Sequence, residues 1–388
     1  MTTSPFSSRY DAVIVGARPA GAGTALLLAR AGLRVLVIDR GRHGADTLST
    51  HALMRAGVMQ LARWGVLPRI AAAGTPPVTQ ATFVYSGDAT TVAVKPATAW
   101  MRCARRAAPC WTRPSRMPPC RRVHRSSTAP GWWTCCAAAA VPCAASSSRP
   151  RTDEVITSSA PLVIGADGLR SAVARLVGAS PTRTGRWAAA TVFGYWEYLP
   201  VDGYRWHYHP GVSSGAIPTN DGLTCVFASI PATSFASVFK SDIAAGYRQV
   251  VAAASPDIAD ALPTARLHGS LHGFAGHVGR FCQSTGPGWA LVGDAAYFKD
   301  PITAHGITDA LIDAELLARA VVDGRAESLA GYEDARNRRA ENLFDVTDRL
   351  ASFAWTLDEA RALHRTLSEE MSREAKMVTG WAAEAVTA

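Results

Sequence analysis

The stretch Asp11 to Arg40, DAVIVGARPAGAGTALLLARAGLRVLVIDR, constrains the fold more than any other part of the chain. Ala12 to Val15 is an apolar run suited to a strand buried on both faces. Gly16 to Gly21 supplies a turn, and Thr24 to Ala31 supplies a packed helix closed by Gly32. Arg34 to Ile38 is a second strand, ending on Asp39. Strand, glycine turn, helix and strand in this order make a dinucleotide-binding unit. Glycine lets the backbone approach a pyrophosphate, and free N–H groups at the helix start face the anion. A carboxylate about 20 residues on can bond a ribose hydroxyl. The turn departs from G-x-G-x-x-G at one position, where Arg18 replaces glycine. A guanidinium fits there if it sits on the pyrophosphate itself. The plainer reading is an ordinary βαβ unit with a Gly-rich turn.

A chain of 388 residues can hold a large core, expected as two intimately joined domains. Met1 to Tyr10 is short and polar, unlike a signal peptide. No apolar run reaches about 18 residues, so no stable membrane insertion is expected. The formal charge of +9 would ordinarily point to nucleic acid or an anionic surface. Its distribution argues against that, because one abnormal segment accounts for it.

Between Met101 and Pro150 there is no Leu, Ile, Asp, Glu, Lys, Phe, Tyr, Asn or Gln, yet nine Arg and six of the eight Cys. Those nine arginines equal the whole net charge, so no nucleic-acid partner is expected. The composition suits neither a folded domain nor a basic disordered tail. It is what a GC-rich gene gives when read out of frame. Shifted by one base, the codons of Pro109 to Arg113 can spell Leu-Leu-Asp followed by a small residue. Those of Gly131 to Ala137 regroup to a similarly amphipathic, Leu-rich word. Two compensating frame changes, near Thr98 and near Arg149, would explain the segment. A genuine low-complexity insertion is the alternative, and a stop codon in the shifted frame would exclude the frame change. The six cysteines (Cys103, Cys110, Cys120, Cys135, Cys136, Cys143) include no C-x-x-C pair at metal spacing, and no metal site is expected. Cys225 and Cys282 read as reduced core thiols, which points to a reducing, cytoplasmic compartment.

Elsewhere the chain reads normally. Ala52 to Gly65 has a helical apolar face, with Ser49 or Thr50 as cap and His51 beside it. Thr79 to Val94 suits two strands. The stretch PLVIGADGLRSAVARLVGA, from Pro161, gives a strand, the turn Gly165 to Gly168 and a helix from Ser171. Tyr204, Trp206 and Tyr208 alternate with Arg205, His207 and His209. That is a strand with one aromatic face, either packed in a core or walling a flat apolar pocket. Leu223 to Ile230 is a further strand, and Ser234 to Ala261 a helical region. In WALVGDAAYFKDPITAHGITDALIDAELLARA, from Trp289, a strand leads to Gly293-Asp294, then to the Asp300-Pro301 loop. A long amphipathic helix starts at Gly306. From Leu329 the tail reads as helical, charged and soluble.

Three words in this order, VGARPAGAGTALLLA with Asp39, GADGLRSAVAR and GDAAYFKDPITAHGITDALIDAELLA, resemble the FAD-dependent oxidoreductases of the aromatic-hydroxylase superfamily. That superfamily includes flavin monooxygenases, flavin halogenases and geranylgeranyl reductases. The resemblance implies an α/β fold. A Rossmann-like FAD-binding domain would comprise residues 1–75, 152–180 and 276–325. A second, mostly antiparallel β-sheet substrate domain would comprise 76–100 and 181–275, with a poorly ordered out-of-frame segment at 100–151 and C-terminal helices at 326–388. It further implies that Gly16, Arg18, Pro19, Ala20 and Gly21 wrap the FAD pyrophosphate and that Asp39, with Arg40 beside it, holds the adenosine ribose. Asp167 and Gly168 would lie near the phosphates. Gly293 and Asp294 would meet the ribityl or pyrophosphate region, and Asp300 and Pro301 the isoalloxazine. Gly306 and Ile307 would direct backbone N–H groups at a flavin carbonyl, where they stabilise charge on the reduced ring.

A flavin supplies the chemistry, and the protein supplies the pocket and its electrostatics. The expected activity is hydroxylation of an apolar or aromatic small molecule, with NAD(P)H as a transient reductant. Reduction of isoprenoid-type double bonds is the alternative within the superfamily, since Tyr204 to Pro210 partly matches a Y-x-W-x-F-P word. A halogenase would carry W-x-W-x-I-P, which Tyr195 to Pro200 does not match. From another class, the chain could be a relic without flavin, disrupted at 100–151. His305, beside the flavin-facing helix start, is the acid–base candidate ahead of His51, His207 and His209. The substrate and the oligomeric state are not legible.

Overall fold

The computed structural model describes residues 10–41, 52–94, 143–146 and 157–387. The Ser49, Thr50 and His51 expectations lie outside these residues, as does most of the Arg- and Cys-rich segment.

The first sheet has five strands, in the order Thr285–Gly286, Trp289–Leu291, Leu162–Gly165, Ala12–Val15, Val35–Ile38. The last four are mutually parallel. Side chains alternate across a strand, so Ala12–Val15 serves two cores. Ala12 and Ile14 pack with Leu28, Ile164 and Leu317, whereas Val13 and Val15 pack with Leu36, Trp289 and Leu291. This is the apolar run expected for a strand covered on both faces. The helix Pro19–Arg30 crosses one face beside the long helix Gly306–Asp323. Their approach is close: a Cβ on Gly23 would lie 3.2 Å from the Ala314 Cβ and 3.0 Å from the Trp64 ring.

The second sheet has seven strands, in the order Arg266–Phe274, Ala189–Glu197, Thr224–Pro231, Val212–Pro218, Tyr204–His209, Gln80–Tyr85, Asp88–Ala93. Every pairing is antiparallel except Tyr204–His209 with Gln80–Tyr85. A three-stranded sheet joins Pro181–Thr184, Arg280–Cys282 and Tyr297–Phe298. Within the Cys-rich segment, Cys143–Ser146 pairs antiparallel with Thr157–Ala160.

Two long helices, Ala326–Ala351 and Leu357–Thr387, complete the fold. The expectation of a charged, solvated tail is corrected here. Arg336 is 0% exposed, and Leu343, Leu350, Phe353 and Trp355 are buried. The charges read as surface are in part paired in the interior. Tyr332 lies in the core of the first sheet, while Leu343 and Leu350 lie in the core of the second, so the tail bridges both. Cys225 and Cys282 are both buried. Among the described residues no helix is long and apolar enough to cross a membrane.

Candidate active site

The glycine turn is tight for steric reasons. Gly16 has φ +107°, and a Cβ there would lie 2.2 Å from the Ala166 carbonyl oxygen. A Cβ on Gly21 would lie 1.9 Å from the Gly16 oxygen. Pro19 opens the helix, where its missing N–H leaves no bond unmade, and Ala20 is buried beneath it. Arg18 caps the helix in extended conformation, with its side chain exposed and making no capping bond. Asp39, at the end of the second strand, accepts from Ala17 N and Gly41 N, both at 2.6 Å. The carboxylate thus braces the turn that leads into the helix start. Arg40 is exposed beside it.

Asp167 turns inward, accepting from Ser171 Oγ at 2.5 Å and Ala172 N at 2.6 Å. It holds the start of the short helix Ala172–Leu176, while Gly168, with φ +80°, has open space around its Cα. Gly293, with φ +62°, sits against the first turn: a Cβ there would be 2.8 Å from the Ala20 Cβ. Asp294 is half-buried, and no described residue hydrogen-bonds its carboxylate. Burial and the neighbouring Asp309 push its pKa from 3.8 to about 6, against opposing pulls from Lys299 and Arg18. The exposed guanidinium and the unpaired carboxylate therefore face one electrostatic environment.

In the loop before the long helix, Asp300 is buried and accepts from Ala189 N at 2.7 Å and Ile302 N at 2.9 Å. It pins the loop to the second sheet, and burial raises its pKa to about 7. Pro301 and Gly306 are exposed and Ile307 half-exposed. A Cβ on Gly306 would meet nothing within 4 Å. No side chain caps the start of this helix. Ala304 holds φ +50°, a left-handed conformation uncommon for a residue with a Cβ.

These features fit an FAD: a glycine turn without room for side chains, a cation beside a helix start, an unpartnered carboxylate and a second helix N-terminus that no side chain caps. Gly16, Arg18, Pro19 and Gly21 would hold its pyrophosphate and Asp294 a hydroxyl, with Pro301, Gly306 and Ile307 at its ring. Asp167 and Asp300 shape the walls, since their carboxylates are already engaged within the chain.

His305 departs from the expectation of a histidine facing the flavin. It is 0% exposed. Its Nε2 lies 2.8 Å from Glu374 Oε2, and its Nδ1 lies 3.0 Å from Lys299 Nζ and 3.2 Å from Asp309 Oδ1. Lys299 also donates to Asp309, and Arg339 bridges Asp309, Asp313 and Glu374. Burial opposes charge on His305, but Glu374 and Asp309 outweigh burial and Lys299, so its pKa is raised. Sequence reading did not single out Lys299, Asp309, Arg339 or Glu374. The one local signal was Asp309, a helical turn after His305. The donor atoms of His305, Asp309 and Glu374 lie within 4.8 Å of one another, as in a metal site. Here Lys299 and Arg339 already neutralise the carboxylates.

Tyr204, Trp206 and Tyr208 do share one face, and all three are buried. Trp206 meets Tyr204 edge-on at 5.6 Å, and Tyr208 stacks on Tyr85 at 5.6 Å. The face is not open, because Leu343, Phe353, Trp355 and Leu367 of the C-terminal helices pack over it. Ile302 belongs to the same apolar cluster, and Ala304 packs against it. The aromatic wall and the helix-start loop therefore meet in one apolar region.

Comparison with known proteins agrees with this geometry. A family model described as an FAD binding domain matches residues 9–121 and 141–347. No curated protein matches the chain. The fold is similar to that of the flavin-dependent brominase Bmp2, at TM-score 0.71 and 16% identity over 97% of this chain and 100% of that one. It is also similar to CmlS, a flavin-dependent halogenase, at TM-score 0.68 and 18% identity over 96% of this chain and 72% of that one. A third similar fold is PqsL, described as a probable FAD-dependent monooxygenase from Pseudomonas aeruginosa, at TM-score 0.60 and 18% identity over 96% and 100% of the two chains.

Proposed function

Since the chain belongs to the FAD-binding domain family, we propose that it is a flavin monooxygenase that uses NAD(P)H as a transient reductant and hydroxylates an apolar or aromatic small molecule. The observation that carries the reading is the turn Gly16 to Gly21, closed to side chains and flanked by Arg18 and the first helix start. The loop beside the covered aromatic cluster is exposed at Pro301 and Gly306, and a substrate would reach the cofactor there. Bound FAD would supply two-electron transfer and oxygen activation, which no side chain provides. The net reaction is R–H + O2 + NAD(P)H + H+ giving R–OH + H2O + NAD(P)+.

The chain's own residues have defined tasks in this scheme. The covered aromatic cluster backs the loop through Ile302 and keeps water from that side of it. The N–H groups at Gly306 and Ile307 meet developing negative charge with fixed dipoles. Arg18 and the first helix start hold the pyrophosphate. We expect a small-molecule substrate and neither a nucleic-acid nor a membrane partner.

The test is direct. Purified protein should be yellow, release FAD on denaturation, and oxidise NAD(P)H with matching oxygen uptake when an aromatic substrate is added. Oxygen-independent reduction of an alkene would overturn the monooxygenase reading in favour of a reductase. A colourless protein that takes up no FAD would overturn the flavoenzyme reading.

A further inference from the structure

The buried charges behind the helix start have no role in the scheme above. Lys299 comes from the loop, His305, Asp309 and Asp313 from the long helix and the residue before it, Arg339 from Ala326–Ala351, and Glu374 from Leu357–Thr387. Each is at most 6% exposed by side chain. Lys299, Arg339 and a His305 imidazolium balance Asp309, Asp313 and Glu374, three charges of each sign. His305 immediately precedes Gly306, the first residue of the long helix, whose start no side chain caps. Charges so enclosed are weakly screened by solvent and salt.

We propose that these six residues are positioning residues, a charge-balanced cluster that ties the helix start at Gly306 and Ile307 to both C-terminal helices and sets the electrostatic field at the bound FAD. The assignment rests on the flavoenzyme reading and deepens it. Its physical content is a sign. Removing a cation leaves the cluster net negative and disfavours the extra electrons on the reduced ring. Removing a carboxylate does the opposite.

The experiment is an anaerobic redox titration of the FAD-loaded protein against a reference dye at pH 6, where the imidazole keeps its proton. Lys299→Met should shift the FAD midpoint potential to more negative values, and Asp313→Asn, whose carboxylate pairs with Arg339 rather than His305, to more positive values. The double variant, which removes one charge of each sign, should return toward wild type. A purely structural role would move both single variants the same way. If Lys299→Met does not fold, His305→Gln removes a cation with a near-isosteric side chain and should give the same negative shift. Shifts of one sign for cation and carboxylate removal, or no shift in variants that hold FAD, would overturn the assignment. A wild-type chain that binds no FAD would instead overturn the functional reading beneath it.

Discussion

The Tyr204 hydroxyl closes on the backbone of a single residue, Leu53, accepting from its N–H at 3.1 Å and facing its carbonyl at 3.3 Å. This joins the aromatic strand of the second sheet to the segment that precedes the helix Arg55–Arg63. The next residue, Met54, donates its N–H to Thr308 Oγ1 at 3.3 Å, so the join continues into the helix that starts at Gly306. Tyr204→Phe keeps the ring and removes both hydroxyl bonds. It should destabilise the protein by about 1–2 kcal/mol, seen as a lowered Tm, and an unchanged Tm would count against this join.

Arg18 is the one departure from glycine in the first turn, and its side chain makes no capping bond. If its guanidinium lies on the pyrophosphate, Arg18→Ala should weaken FAD binding about tenfold, or about 1.4 kcal/mol. The variant should also show a flatter dependence of FAD affinity on salt. Equal FAD affinity in variant and wild type by fluorescence titration would remove Arg18 from the site. Gly16→Ala should be far worse, since its Cβ would meet the Ala166 carbonyl oxygen at 2.2 Å. Overpacking plus the left-handed backbone should cost about 3 kcal/mol or more, visible in urea unfolding without cofactor.

Asp294 predicts a pH dependence with a definite sign. Its folded pKa is about 6 rather than 3.8, chiefly through burial. The unfolded chain loses this proton first, so the contribution to stability is full below pH 3.8 and lost as pH rises to about 6. Asp294→Asn should remove that slope and raise the stability of the cofactor-free protein at pH 8 by up to about 3 kcal/mol. Chemical denaturation at pH 5 and pH 8 checks it: an unchanged difference between the two pH values would contradict the assignment.

The far end of the C-terminal helix is held by Trp381, buried against Met59 and Ile312. Arg319 and Arg63 lie over its ring, 4.9 and 5.7 Å from the centroid. Trp381→Ala should cost about 3 kcal/mol and should speed amide exchange in the last turns of that helix. Exchange unchanged there would show that the helix is held elsewhere.

Local signals carried most of what the sequence disclosed. The run Ala12 to Val15, the turn Gly16 to Gly21 and the alternation from Tyr204 to Tyr208 each encode their structure within a few residues. The helix from Ala52 was legible for the same reason, although its regular part begins at Arg55. His305 was not legible, because what enclosed it was Glu374, far along the chain and contributed by another helix. Composition marks Arg336, Arg339 and Glu374 as surface residues; Arg339 and Glu374 are buried as a pair, and Arg336 is buried on the Cys282 carbonyl and the Ser284 hydroxyl. The aromatic face was visible as a pattern, whereas its cover came from Phe353 and Trp355, which no local pattern connects to it.

The bridging tail also sets an order of assembly. A ribosome delivers Trp289–Leu291, the last parallel strand of the first sheet, before it delivers any of the residues that roof the aromatic wall. The aromatic face of the second sheet is therefore the last part of the core to receive its cover during synthesis, and Tyr332 completes the first core at the same stage.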